Sequence, residues 1–388
     1  MAKRIFQHLY LLSSEMSDLS PSKLDGGLEK AFLVGALCHD LGHTAFSHTL
    51  ENVLLPEGFK THEDCTLHLM QRDGPIANEI KEYGCEIDEV VQLLSGRHWV
   101  DGLCRLLSGN IDVDRWDYLL RDSRAAGVRY GVFDLNWLIN SISLQADSTK
   151  CQRLVLDARR GLSALKQFLR ARAFMYEQVY LHATVRGADR LLRAMFERAA
   201  DTAKPGRFSD HKNRAIPKIF EEVAAGKRAS LEHFLLIDDI AVIGLVKVWA
   251  NLSRDPVLRY LARCFLKRRL FKEVGSWRSE VPPGYLELVK NAVRKAFKKQ
   301  VSDDLKLKDE EMEQSLDYFV LIDTATFKAD DRFDGILFDI GGGTLVTLEE
   351  LRQNPEFNPP LPEPPFHRVR LFVPYEVRGA VLSDAAAN

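Results

Sequence analysis

ALCHDLGHTAFSH, residues 36–48, puts three histidines and one aspartate into thirteen positions, with His39 and Asp40 side by side at the end of an apolar run. Neighbours on a regular helix point about 100° apart. At a helix end, however, an imidazole nitrogen and a carboxylate oxygen can turn toward one cation, and this donor pair suits Mn, Fe, Zn or Mg. The stretch is therefore either a packed helix end or half of a metal site, and the choice depends on remote ligands. The best remote stretch is IDVDRWDYLLRD, residues 111–122, where Asp112, Asp114, Asp117 and Asp122 crowd among Ile111, Val113, Trp116, Leu119 and Leu120. Four carboxylates so close repel one another unless some face water and others meet a cation or a guanidinium. That crowding favours a bound cation.

The 388 residues, 46% of them hydrophobic, can bury one large core or two moderate ones. No stretch approaches the eighteen or more uninterrupted apolar residues of a membrane span, and MAKRIFQHLYLL at the N-terminus lacks a small-residue cleavage site. The expectation is a cytoplasmic protein with no membrane partner. Six cysteines without a CxxC pair indicate reduced thiols rather than a disulfide framework or a zinc ribbon. A formal net charge of -2 excludes a generally basic protein, although KRRLFK (267–272) and KNAVRKAFKK (290–299) are local basic runs, either facing an anion or forming solvated helix faces.

Helical periodicity dominates the first three hundred residues. LEKAFLVGALCHD is read as one helix, FSHTLENVLLP as a helix stopped by Pro56, and IDVDRWDYLLRDSRAAG as a helix closed by Gly127. SISLQADSTKCQRLVLD alternates on both sides of a polar turn and reads as a hairpin. The segment from Gly161 to Ala203 has no proline, so it is one long helix or a broken pair. Beyond residue 315, YFVLIDT, GILFDIGGGTLVTL and RVRLFVPYEV are β-rich pieces separated by glycines, acidic stretches and NPPLPEPP. The fold expected is mostly α: a helical lobe with a short β-hairpin over residues 1–205, a helical extension over 206–312, and a smaller α+β C-terminal lobe over 313–388. DIGGGT (339–344) has the texture of a phosphate loop, but only 44 residues follow Thr344, so a glycine-rich hairpin turn is the better reading.

His39-Asp40 followed by LGHTAFSH, then Thr61-His62-Glu63, then IDVDRWDYLLRDSRAAGV resembles the HD-domain phosphohydrolase superfamily, and within it the deoxynucleoside triphosphate triphosphohydrolases, including the dGTPases. The likeness covers roughly residues 1 to 200. It implies that segment 1–205 is an HD-type, metal-dependent phosphohydrolase domain with His39, Asp40 and Asp114 as ligands of a divalent metal (Mn, Fe, Mg or Zn). His43, His48 and His62 match the histidines that line the phosphate site and assist proton transfer. The resemblance further places Arg115 on the triphosphate and Tyr118 and Asp122 on the sugar, with Asp122 accepting from a 3'-hydroxyl. Arg172, Tyr180 and His182 repeat an R...Y.H spacing in which Arg meets phosphate and Tyr packs on deoxyribose. The family usually forms homo-oligomers.

One departure is evident. The family's first metal ligand, a histidine in a stretch like R-F-x-H-S-x-G-V, has no counterpart here, and His8 reads as a helix-face residue among Ile5, Leu9 and Leu12. The expectation is a weakly held or absent metal in this chain. Other residues read as structural: Asp117 as a partner of Arg121 four positions on, and Trp116 and Trp137 as core. Glu63 is too close in sequence to His62 to face it on a helix. The resulting function is a metal-dependent hydrolase of (deoxy)nucleotides, a dNTP triphosphohydrolase releasing deoxynucleoside and tripolyphosphate. The alternative is a catalytically weak or inactive binder of nucleotides or single-stranded nucleic acid.

Overall fold

Asp25 begins the helix that carries the motif: its Oδ1 accepts from Leu28 N at 2.8 Å, and the following turns bury Leu28, Ala31, Phe32 and Val34. A computed structural model describes residues 1–15, 24–72, 74–147, 149–202, 230–300, 305, 307–327, 335–357 and 366–386. The helices that matter for the argument are α1 (Ala2–Glu15), α2 (Gly26–Cys38), α3 (His62–Gln71), α4 (Val113–Ala125), α5 (Ala158–Met175), α6 (Ala183–Thr202), α7 (Asp239–Leu252) and α8 (Tyr285–Gln300). The strands are β1 (Ile142–Ala146), β2 (Gln152–Asp157), β3 (Lys272–Trp277), β4 (Leu321–Phe327), β5 (Ile336–Asp339), β6 (Leu345–Val346) and β7 (Phe366–Val373). Mostly helical with small sheets, this is the fold class the sequence predicts. No helix among the described residues is long and apolar enough to cross a membrane.

The order of the parts differs from three consecutive segments. The chain forms two interleaved units, the first of Met1–Gly42, Glu63–Val179 and Lys328–Pro365, the second of His43–His62, Tyr180–Phe327 and Phe366–Asn388. Long-range strand pairing is the reason. β5 pairs in parallel with β2, Leu154 opposite Ile336, which draws residues after 328 into the first unit. β4 and β7 instead join β3 from the supposed helical extension. Part of that extension, 203–229 with His211, and the NPPLPEPP run lie outside the described residues.

In the first unit, the expected hairpin is present as β1 and β2, antiparallel with Ile142 opposite Leu156. Asp147 shapes its turn by accepting from Thr149 N at 2.8 Å and Cys151 N at 3.1 Å. DIGGGT is the turn between antiparallel β5 and β6, and it needs glycine because Gly341, Gly342 and Gly343 all have φ between 66° and 104°. Asp112 caps α4 through Arg115 N at 2.8 Å, and Gly127 ends it at φ 70°. His8 on α1 lies 3.1 Å, through Nε2, from the Ile142 carbonyl. The proline-free segment is a broken pair: α5 stops at Met175, a π-turn spans Tyr176–Tyr180, and α6 starts at Ala183.

In the second unit, the sheet order is β3-β7-β4, and its core includes Phe196, Trp249, Phe271, Phe319, Leu371 and Phe372. Here FSHTLENVLLP corrects the single-helix expectation. It forms a 3-10 turn at Ser47–Thr49 and a short helix at Glu51–Leu54, because Phe46 and Ser47 take left-handed backbone at φ 56° and 46°. The basic run on α8 faces acidic partners: Lys290 meets Asp317 at 2.8 Å, Arg294 meets Glu313 at 2.5 Å, and Lys298 meets Asp309 at 2.9 Å. Its charge is thereby offset locally. Arg186 on α6 grips buried Asp323 on β4 with two bonds, Nε to Oδ2 at 3.0 Å and Nη2 to Oδ1 at 2.5 Å. Removing one member of such a pair strands the other charge, so Asp323→Ala is expected to destabilise by about 3–5 kcal/mol in urea unfolding. Asp323→Ala combined with Arg186→Leu is expected to recover part of that loss; a single variant within about 1 kcal/mol of wild type would contradict the assignment.

Candidate active site

The end of α2 turns at His39, which keeps helical backbone at φ -56° and ψ -29°. Thr66 on α3 pins this turn, donating to the His39 carbonyl at 3.0 Å and accepting from Gly42 N at 2.8 Å. The His39 Nδ1–H donates to the Ala36 carbonyl at 3.1 Å, which turns Nε2 outward. Nε2 lies 3.3 Å from Asp40 Oδ2 and 3.8 Å from Asp114 Oδ2, the latter in the first turn of α4. Both carboxylates thus approach one imidazole nitrogen, across a separation of up to 75 positions. The hydrogen bond to Asp114 pushes the His39 pKa up to about 9, against the opposing effect of burial and with Asp40 adding to the rise. The same bond lowers that of Asp114. Two carboxylates around one imidazole demand positive charge, and nitrogen with carboxylate oxygens is a donor set that fits a divalent cation.

A second group in the same unit gathers where α4 faces α5. Arg115 donates through Nη1 to both the Asp112 carboxylate and the Gly109 carbonyl. Burial pushes Asp112 up to about 6, opposed by the Arg115 charge. Arg172 is buried, and its guanidinium lies 5.8 Å from the ring centre of Tyr176. Burial first and the charge of Arg115 second lower the pKa of Arg172. Burial, followed by Tyr176, raises that of Tyr118. Two guanidinia that oppose each other's charge form a place that gains from an anion. Tyr176 was not among the sequence candidates; its position four residues after Arg172 was the available signal.

The other candidates scatter. Asp122 lies 3.3 Å from Arg121, which also meets Asp117 at 3.1 Å, the i,i+4 pair expected. Tyr180 and His182 belong to the second unit, where His182 Nδ1 accepts from Thr184 N at 3.2 Å at the start of α6. Trp116 is core, but Trp137 corrects its core reading: it is 51% exposed and donates through Nε1–H to the Arg160 carbonyl at 2.7 Å.

The second unit holds His43, His48 and His62 as one cluster, the only trio of potential ligands among the described residues whose donor atoms all lie within 4.8 Å of one another. His43 and His62 stack with ring centres 3.8 Å apart, and His48 meets His43 edge-on at 4.8 Å. Glu51 organises them, its two oxygens each 2.9 Å from a ring nitrogen, Nδ1 of His48 and Nδ1 of His62. It also accepts from His62 N at 3.2 Å. Glu51, and not Glu63, is therefore the carboxylate behind His62, and sequence reading missed it. The spacing H-x-x-E from His48 was the one visible hint. The loop itself is held from outside: Phe46 N donates to Asp239 at 2.8 Å, and Arg193 donates to the Thr49 and His48 carbonyls at 2.8 and 3.2 Å.

No family model matches the chain. Among curated proteins it is 29% identical to YwfO of Bacillus subtilis over 257 residues, 66% of this chain and 56% of that one. A protein of Acanthamoeba polyphaga mimivirus named as HD domain-containing is 28% identical, over 47% of this chain and 40% of its own. The Dictyostelium discoideum homolog of the deoxynucleoside triphosphate triphosphohydrolase SAMHD1 is 25% identical, over 44% of this chain and 34% of its own. The chain thus spans about half the length of the curated relatives it matches. A crystal structure of a phosphohydrolase from Bacteroides thetaiotaomicron shares the fold, with TM-score 0.72 and 24% identity over 96% of this chain and 85% of that one.

Burial tends to raise the Glu51 pKa, but the hydrogen bonds from His48 and His62 prevail and bring it down to about 2. A depressed folded-state pKa stabilises the fold above the unfolded value, about 4.3, and that stabilisation is lost as pH falls toward 2. The melting temperature of the wild type is expected to drop over this acid range more steeply than that of Glu51→Gln. Parallel acid profiles for the two proteins would mean that Glu51 is not held by the histidines.

Proposed function

We propose that this chain is an HD-domain phosphohydrolase, a cytoplasmic, metal-dependent hydrolase of nucleotides whose substrates are deoxynucleoside triphosphates and whose products are a deoxynucleoside and tripolyphosphate. The observation that carries the reading is the approach of the Asp40 and Asp114 carboxylates to His39 Nε2. These three would hold the divalent ion, which when bound supplies charge neutralisation at the phosphate under attack. Arg115 and Arg172 supply fixed positive charge for the remaining phosphates, and Asp112, which now grips Arg115, competes with that anion. Tyr118 and Tyr176 offer rings for the deoxyribose, and Asp122 offers an acceptor for the 3'-hydroxyl. With their Nδ1 atoms tied to Glu51, His48 and His62 keep Nε2 for proton transfer, and His43 stacks on His62. The deoxynucleotide part is supported by the name of the Dictyostelium relative.

The test is metal titration followed by chromatography of a dNTP panel after incubation with Mn, Fe, Mg or Zn. Turnover to deoxynucleoside and tripolyphosphate, abolished in Asp114→Asn together with metal binding, is the expected result. Nucleotide binding without any turnover would overturn the catalytic reading in favour of a binding protein. Arg115→Ala is expected to weaken triphosphate binding far more than nucleoside binding. Asp122→Ala is expected to shrink discrimination for the 3'-hydroxyl by roughly 1–3 kcal/mol. Equal losses for nucleoside and triphosphate in Arg115→Ala would remove that arginine from the phosphates.

A further inference from the structure

Asp112 is only 5% exposed, and one residue engages both of its oxygens. Oδ1 accepts from Arg115 N at 2.8 Å, and Oδ2 accepts from Arg115 Nη1. Capping α4 needs only the first of these contacts. The second draws the guanidinium inward, where Nη1 also donates to the Gly109 carbonyl. Close packing places that carbonyl: a Cβ on Gly109 would lie 2.2 Å from the Arg105 carbonyl oxygen, so any side chain there would displace it. Among the described residues the Arg115 guanidinium meets no other acceptor. Arg172, buried on α5, attracts the same carboxylate, and the two guanidinia repel each other.

One buried carboxylate thus stands between two cations and already makes, to Arg115, the kind of charged contact that a phosphate oxygen makes to arginine. A phosphate that draws Arg115 away leaves this carboxylate buried without its cation, a cost that every phosphate ligand meets. A nucleotide offsets the cost with its sugar and base. Tripolyphosphate has charge alone to set against it. We propose that Asp112 is a resident stand-in for phosphate that yields Arg115 to the incoming triphosphate and takes it back as tripolyphosphate departs. Its role is product release: it keeps the phosphate site weak enough to empty. The inference rests on the proposed placement of Arg115 on the phosphates and adds to it what limits their affinity.

Calorimetric titration of the whole chain with sodium tripolyphosphate tests it, in EDTA and at about 0.1 M ionic strength, where close charges are little screened. Asp112→Asn keeps the cap, because asparagine caps a helix as well as aspartate does, and removes the charge. Its dissociation constant for tripolyphosphate is expected to fall at least about tenfold below that of wild type. In an Arg115→Ala background the same substitution is expected to change the constant by less than about twofold, since the group that Asp112 restrains is gone. Asp117→Asn, which removes an exposed carboxylate from the same helix, is the control for net charge and is expected to leave the affinity unchanged. Circular dichroism and melting temperature report whether each variant remains folded. Unchanged or weaker binding in Asp112→Asn, an equal gain with and without Arg115, or no tripolyphosphate binding by either wild type or Asp112→Asn overturns the inference. The titration reads no turnover, so its outcome is separate from whether dNTPs are hydrolysed.

Discussion

Two carboxylates approach one imidazole nitrogen, and this is the contact on which the first unit turns. Asp40 and Asp114 are held near His39 by elements far apart in sequence, α2 with its pinned turn and α4 with its Asp112 cap. The hydrogen bond to Asp114, with Asp40 adding to it, pushes the imidazole toward its charged form. A site that draws a proton so strongly offers the same attraction to a divalent cation.

Arg115 and Arg172 set the opposite problem where α4 faces α5, cation against cation. Asp112 partly relieves it while also starting α4, so one buried aspartate serves helix initiation and charge balance together. Positive charge is lacking at the first cluster and in excess at the second, which is the pattern required to hold a metal and the phosphates of a nucleotide. The second unit supplies a different resource: titratable rings fixed by Glu51, within a loop that the core of that unit braces.

How much of this was legible depends on the range of the interaction. The end of α2, the capped start of α4, the hairpin and the glycine turn were readable because caps, periodicity and turn residues act over a few positions. That Asp114 would lie near His39 was legible as a pairing of residue types, an imidazole beside a crowded run of carboxylates. The interleaving of the units was not, since pairing Leu154 with Ile336 leaves no local trace in either strand. Nor was Glu51, which reaches His62 only because two left-handed residues reverse the chain after Ala45. Periodicity read that stretch as helix, and the strain that defeats the helix comes from contacts made by α6 and α7.

That strained reversal separates what a motif spells from what it builds. HTAFSH supplies two of the three imidazoles, but their arrangement is imposed by Asp239 and Arg193, residues nearly 150 or more positions downstream that a motif search would pass over. Grafting the six letters onto another helical scaffold would transfer the chemical groups and lose their geometry. The smallest portable form of this histidine cluster is the loop together with the helices that hold it bent.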